Sequence, residues 1–147
     1  RAERALGMMQ LVYLAKRYAN IDVEKIDFNK SGKPIIPYRG YDFNISHSNG
    51  LCACALGDEK VGIDLQAHNK KIDPIKLATR FFTPSEFRYI ERSHDINNIF
   101  FEVWTKKEAI AKYLGNGLAA VLNGTDVFES PKKYGIKLFT KQFDFNK

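Results

Sequence analysis

Apolar positions along the chain follow two periods, and the changes of period mark out its elements. From Arg1 to about Tyr18 the spacing is helical. Ala5, Met8, Val12 and Ala15 recur three or four apart, with Leu11, Leu14 and Tyr18 on a neighbouring stripe. Tyr41-Asp42-Phe43-Asn44-Ile45-Ser46 alternates apolar and polar, as a half-buried strand does. Leu51 to Leu56 reads as a second short strand, Gly57-Asp58-Glu59-Lys60 as a hairpin connection, and Val61-Gly62-Ile63-Asp64-Leu65 as the returning strand. In that strand Val61, Ile63 and Leu65 share one face, and Gly62, Asp64 and Gln66 the other.

The second half is mostly helical in pattern. Residues 67–73 are polar and read as a loop, and Pro74 to about Arg80 as a short helix. Thr83-Pro84-Ser85-Glu86 is a helix start, with Thr at the cap, Pro at the first position and Glu at the third. A longer helix is predicted from about Asn97 to Leu114. Its apolar side carries Ile96, Ile99, Phe100, Val103, Trp104, Ala111 and Leu114, and Gly115-Asn116-Gly117 ends it. Asp126-Val127-Phe128, Tyr134 to Thr140, and Phe143 with Phe145 read as strands.

Composition narrows the class. At 147 residues, 44% hydrophobic and 27% charged, the chain suits one domain or two very small ones and is too apolar for a disordered segment. No apolar run reaches the ~18 residues of a membrane helix. Cys52 and Cys54, two apart in a strand, are poorly placed to bridge each other, which points to a reducing, cytoplasmic compartment. The net charge of +6 suits an anionic partner: nucleic acid, a membrane surface, an acidic protein or a phosphorylated small molecule. Charge alone does not choose among them.

Four places carry candidate chemistry. Asp64 lies in an apolar strand, where a carboxylate is costly unless paired or bound to a cation, and Gly62 on the same face leaves room for a close approach. Asp64 suits a hard metal such as Mg²⁺; it equally suits a strand-end Asp that accepts from backbone amides. Glu108 shares one helix edge with Trp104 and Lys112, at spacings of four. It reads as a surface Glu–Lys pair or, because Trp104 brings that edge beside the core, as a functional carboxylate. His47, between Ser46 and Ser48 at a strand end, suits phosphate binding better than nucleophilic catalysis, because adjacent side chains diverge in an extended segment. Lys33, between Gly32 and Pro34 in the Asn29–Pro34 turn cluster, is a turn residue able to reach phosphate. His68 and His94 read as surface residues. The histidines and cysteines lack zinc-site spacing, and no Walker A loop or dinucleotide glycine fingerprint is present.

Taken in order, Gly32-Lys33-Pro34, Phe43-Asn44-Ile45-Ser46-His47-Ser48, Val61-Gly62-Ile63-Asp64-Leu65, Phe81-Phe82-Thr83-Pro84-Ser85-Glu86, and Trp104-Thr105-Lys106-Lys107-Glu108-Ala109 with Lys112 and Gly115-Asn116-Gly117-Leu118 resemble the signature of Sfp-type 4'-phosphopantetheinyl transferases. The resemblance spans about residues 1–128. It implies transfer of the phosphopantetheine arm of coenzyme A to a serine of an apo acyl or peptidyl carrier protein, releasing adenosine 3',5'-bisphosphate. It implies Asp64 and Glu108 as Mg²⁺ ligands, with Glu108 or a water it orients deprotonating the serine. Lys112 would lie against the pyrophosphate, Lys33 and His47 would hold coenzyme A phosphates with Ser46 nearby, and Arg4 or Arg1 would contact the nucleotide. Gln66 stands where the family often has a third acidic ligand. An amide oxygen there still ligates Mg²⁺ or one of its waters, without adding negative charge.

The implied fold class is α/β (α+β): a monomeric pseudo-dimer of two lobes, each a long helix packed on a small antiparallel sheet. The lobes would be residues 1–66 and 67–147. The first helix opens without a cap and the last strand lacks a finishing element, so an upstream strand and a downstream end are expected. Two other readings use the same residues: a metal-dependent phosphodiesterase or nuclease, and a non-catalytic module that binds coenzyme A or a carrier protein. Scattered lysines without interleaved exposed aromatics count against nucleic acid. Intact Asp64, Glu108 and Lys112 count against a module that has lost catalysis.

Overall fold

A sheet-bearing first half and a helical second half meet along one helix. The computed structural model describes residues 2–23, 26–28, 34–37, 40–69, 71–122 and 124–143. Helix α1 (Ala2–Leu14) continues into a π-helical turn over Ala15–Ala19, closed by Asn20 in the left-handed conformation. It buries Gly7, Leu11 and Ala15, one residue every turn, and leaves Leu6, Met9, Val12, Tyr13 and Tyr18 exposed. The buried stripe is therefore rotated from the one predicted. Gly7 decides this: a side chain there would collide with Ile45 and Cys52, so the helix presses its glycine face onto the sheet.

Two short strands, β1 (Asp27–Phe28) and β2 (Pro34–Ile35), pair antiparallel. The main sheet is a hairpin of β3 (Asp42–Ser48) and β4 (Leu51–Gly57), in register from Asp42 opposite Gly57 to Ser48 opposite Leu51. Its turn is Asn49-Gly50, both with positive φ, the backbone that a two-residue hairpin loop requires. The second hairpin connection, predicted at 57–60, bends at Asp58 and Glu59 but leads into no paired strand among the described residues. Phe43 is buried with Leu11 and Ile36 under α1, and Ile45, Cys54 and Leu56 pack around them. Both cysteines are free thiols.

The predicted strand at 61–65 forms no backbone ladder among the described residues. Three of its amides, and that of Ala67 just beyond it, instead donate to side chains along one face of β3: Val61 to Asp42 Oδ2 (3.0 Å), Ile63 to Asn44 Oδ1 (3.4 Å), Leu65 to Ser46 Oγ (3.1 Å) and Ala67 to Ser48 Oγ (2.9 Å). Every rung joins residues 19 apart, so the segment runs parallel to β3. Half-buried amides need acceptors, and here β3 side chains supply them.

The second half holds α2 (Pro74–Phe81), α3 (Pro84–Glu91), α4 (Ile96–Leu114) and α5 (Ser130–Tyr134). Asp73 caps α2, Thr83 and Glu86 form a complete capping box on α3, Asp95 caps α4, and left-handed Gly115 ends α4. The core packs Phe82, Ile90, Phe100, Phe101, Val103, Ile110, Val121 and Val127. No strand occurs at 126–128, 134–140 or Phe143 among the described residues, and Phe145 lies outside them. Asp126 makes a turn instead: its carboxylate accepts from Phe128 N–H and from the Thr83 and Ser85 hydroxyls. The sheet expected in the second half is thus absent from the described residues.

A buried ion pair locks α4. Lys107 and Glu86 are both 0% exposed, with Nζ 2.9 Å from Oε2. Lys107 also donates to the Leu122 and Thr125 carbonyls, while Glu86 accepts from Thr83 N–H and Val127 N–H. Both charges are fully partnered, the condition under which burying them is tolerable. Burial pushes the Lys107 ammonium below its ordinary range, and its bonds to Glu86 oppose that shift.

Candidate active site

With Lys107 drawn into the second-half core, its neighbour Glu108 is turned about 100° round the helix, toward the 61–67 segment. That crossing is close. Gly62 lies under α4, and a Cβ added to it would stand 2.7 Å from Tyr113 N, with Ala109 O nearer still. The room left by Gly62 is thus filled by helix backbone rather than by a ligand. Lys60 reaches the α4 C-terminus, donating to Leu114 O at 3.4 Å.

Two residues on from Gly62, Asp64 meets Lys112 one helical turn beyond Glu108. Lys112 Nζ donates to Asp64 Oδ1 at 2.8 Å and to Ser46 Oγ at 2.8 Å, and Ser46 Oγ donates to the same Oδ1 at 2.9 Å. The Asp64 side chain is only 7% exposed and Lys112 28%. Asp64 Oδ2 is buried and has no hydrogen-bond partner. Glu108 is close enough to feel that carboxylate: burial first, then the charge of Asp64, raises its carboxyl above the ordinary range, and Lys112 opposes the shift.

A buried carboxylate oxygen without a donor, beside a second carboxylate held at raised affinity for protons, is a site short of positive charge. Hard oxygen donors of this kind suit Mg²⁺. The residues present therefore fit a magnesium ion, with Asp64 and Glu108 as its protein carboxylates. Among the described residues no group of three or more His, Cys, Asp and Glu is placed to hold a metal ion. Gln66 follows Asp64 on the same segment; its Nε2 donates to Ala67 O at 3.1 Å.

The other predicted residues fall into three groups. His47 is half-exposed at the end of β3, its Nδ1 3.1 Å from Glu3 Oε2, and Glu3 Oε1 also accepts from Gly50 N–H. Glu3 thus ties α1 to the hairpin turn and orients the imidazole, a partner not signalled by sequence spacing. Arg4 is exposed in the first turn of α1. Lys33 and Arg1 lie outside the described residues. His68 is exposed as expected, yet its ring stacks on Phe101 at 4.5 Å. Sequence reasoning also passed over Lys107 as a structural residue. Its signal was its place on the apolar stripe of the helix, four residues from Val103 and Ala111 and three from Trp104 and Ile110.

Known proteins are similar to this chain along much of its length. The model of the 4'-phosphopantetheinyl transferase superfamily matches residues 60–146. The 4'-phosphopantetheinyl transferase HetI of Nostoc sp. is 40% identical over 102 residues, covering 65% of this chain and 43% of HetI. The 4'-phosphopantetheinyl transferase gsp of Aneurinibacillus migulanus is 37% identical over 108 residues, 71% of this chain and 44% of the relative. Sfp of Bacillus subtilis strain 168 is 32% identical over 129 residues, 83% of this chain and 56% of Sfp. The chain belongs to the 4'-phosphopantetheinyl transferase superfamily. It spans about half the length of the curated relatives it matches.

Proposed function

We propose that the protein is a Mg²⁺-dependent 4'-phosphopantetheinyl transferase that moves the phosphopantetheine arm of coenzyme A onto a serine of an apo acyl or peptidyl carrier protein. The carrying observation is the convergence of Asp64, Glu108 and Lys112, with Asp64 Oδ2 buried and unpartnered. In this reaction the serine Oγ bonds to the pantetheine-side phosphorus, the bond to the bridging oxygen breaks, and adenosine 3',5'-bisphosphate leaves. Such displacements depend on charge neutralisation and positioning more than on covalent chemistry.

Glu108 takes the serine proton, directly or through a water it orients. A carboxylate positioned beside the reacting groups can take that proton. Lys112, within reach of Asp64, sets an ammonium against the pyrophosphate. Asp64 and Glu108 would hold the magnesium ion, with Gln66 contributing its amide oxygen; bound there, the ion neutralises pyrophosphate oxygens. His47 and Lys33, with Arg4 in support, bind the donor's phosphates. The same reading includes a monomeric two-lobed architecture, residues 1–66 and 67–147 belonging to successive lobes, and a cytoplasmic setting. No helix among the described residues is long and apolar enough to cross a membrane.

The test is product release. Incubated with coenzyme A, Mg²⁺ and an apo carrier protein, the protein should liberate adenosine 3',5'-bisphosphate, read by chromatography, only when all three are present. Release without a carrier would point to a hydrolase, and no release with any of several carriers would overturn the reading.

A further inference from the structure

Ser46 is 5% exposed, and its hydroxyl is saturated. It donates to Asp64 Oδ1 (2.9 Å) and accepts from Leu65 N–H (3.1 Å) and Lys112 Nζ (2.8 Å). A serine hydroxyl offers one donor and two acceptor positions, and all three are used within the protein. The hydroxyl also stands in a series. Ser48, two residues on and on the same face of β3, receives Ala67 N–H at 2.9 Å as the next rung, but no hydrogen bond joins it to Asp64 or Lys112. Ser46 therefore does two things that Ser48 does not: it fixes one oxygen of Asp64, and it holds the ammonium that pairs with that oxygen. The other oxygen, Oδ2, is left bare in a buried position.

We propose that Ser46 is a positioning residue that ties down Asp64 Oδ1 so that Oδ2 alone is presented to a divalent cation. This rests on the reading of Asp64 and Glu108 as metal-binding carboxylates. It assigns the Ser46 hydroxyl to the carboxylate rather than to the coenzyme A phosphates. Partners that orient a metal ligand typically change affinity about 10–100-fold when removed.

Mn²⁺ serves as the probe, its binding in the presence of coenzyme A counted from the electron paramagnetic resonance signal of the free ion. Ser46→Ala should weaken Mn²⁺ binding about tenfold or more, while Ser46→Thr, which keeps the hydroxyl, and Ser48→Ala, which removes a rung remote from Asp64, stay within about twofold of wild type. At saturating Mg²⁺ the KM for coenzyme A should not move in Ser46→Ala. Should Ser46→Ala fail to fold, Ser46→Cys keeps the shape with a weaker donor and is expected to lose Mn²⁺ affinity in the same direction. Equal losses in Ser46→Ala and Ser48→Ala would reduce Ser46 to a rung of the ladder and overturn the proposal. Unchanged Mn²⁺ affinity with a raised KM for coenzyme A would also overturn it, by making Ser46 a donor contact. Wild-type protein that binds no Mn²⁺ would overturn the metal-site reading itself, and this proposal with it.

Discussion

Gly62 and Tyr113 touch backbone to backbone. A Cβ on Gly62 would stand 2.7 Å from the Tyr113 nitrogen and 2.9 Å from its Cβ. This contact sets the distance between the extended segment that carries Asp64 and the helix that carries Glu108 and Lys112. Gly62→Ala must push α4 away, because neither neighbour is a flexible side-chain tip. The expected cost in stability is about 1–3 kcal/mol from overpacking, read from denaturant unfolding. Transfer activity should fall further, about 100-fold or more, because a displacement of about 1 Å at a reacting site costs that much. A Gly62→Ala variant with wild-type kcat/KM would show that the crossing does not set the site.

Glu108 pits stability against function. Its pKa is raised in the folded protein, so the folded state favours the protonated carboxyl. The sign follows: the carboxylate costs no stability below the ordinary Glu pKa of about 4.3, and the cost grows with rising pH until the raised pKa is passed. Glu108→Gln should therefore unfold at a higher temperature than wild type at pH 7, by about 2 °C, with the gap closing near pH 4. Added Mg²⁺ should raise the wild-type midpoint and leave that of Glu108→Gln nearly unmoved. The same variant should lose transfer. Calorimetry at the two pH values checks the first part, and a lower midpoint for Glu108→Gln at pH 7 would contradict it.

Lys107 and Glu86 anchor the other side of α4. Removing one partner leaves the other charge buried, so Lys107→Met and Glu86→Gln should each destabilise, Lys107→Met by about 3–5 kcal/mol. The double variant should cost clearly less than the sum of the two, a coupling that a double-mutant cycle in urea measures directly. Additive losses would mean that the pair does not act as one unit.

Helix starts and stops were legible in the sequence wherever a cap carried them. The Thr83–Glu86 box and Gly115 fall where the residues put them, because caps are local chemistry. The candidate site residues Asp64, Glu108 and Lys112 stood out through their ordered motifs, and the structure brings Asp64 to Lys112 and within charge range of Glu108. What the sequence pattern misplaced was settled at longer range. Val61–Leu65 has the alternation of a strand, yet its amides are met by Asp42, Asn44 and Ser46, and no periodicity in the segment itself announces acceptors 19 residues away. Val127 and Phe128 have strand propensity, but Asp126 with Thr83 and Ser85 bends the chain there. The α1 stripe was rotated because Gly7, which no hydrophobic count includes, is the residue against the sheet.

Weighing the acceptor reads the transfer itself. An apo carrier protein incubated with coenzyme A, Mg²⁺ and this protein should gain the mass of one phosphopantetheine arm. A carrier whose acceptor serine is replaced by alanine should gain nothing, and neither should the intact carrier with the Asp64→Ala variant. An unchanged carrier mass across fatty-acid, polyketide and peptide-synthetase carriers, under conditions where the protein is folded, would mean that the protein does not transfer phosphopantetheine.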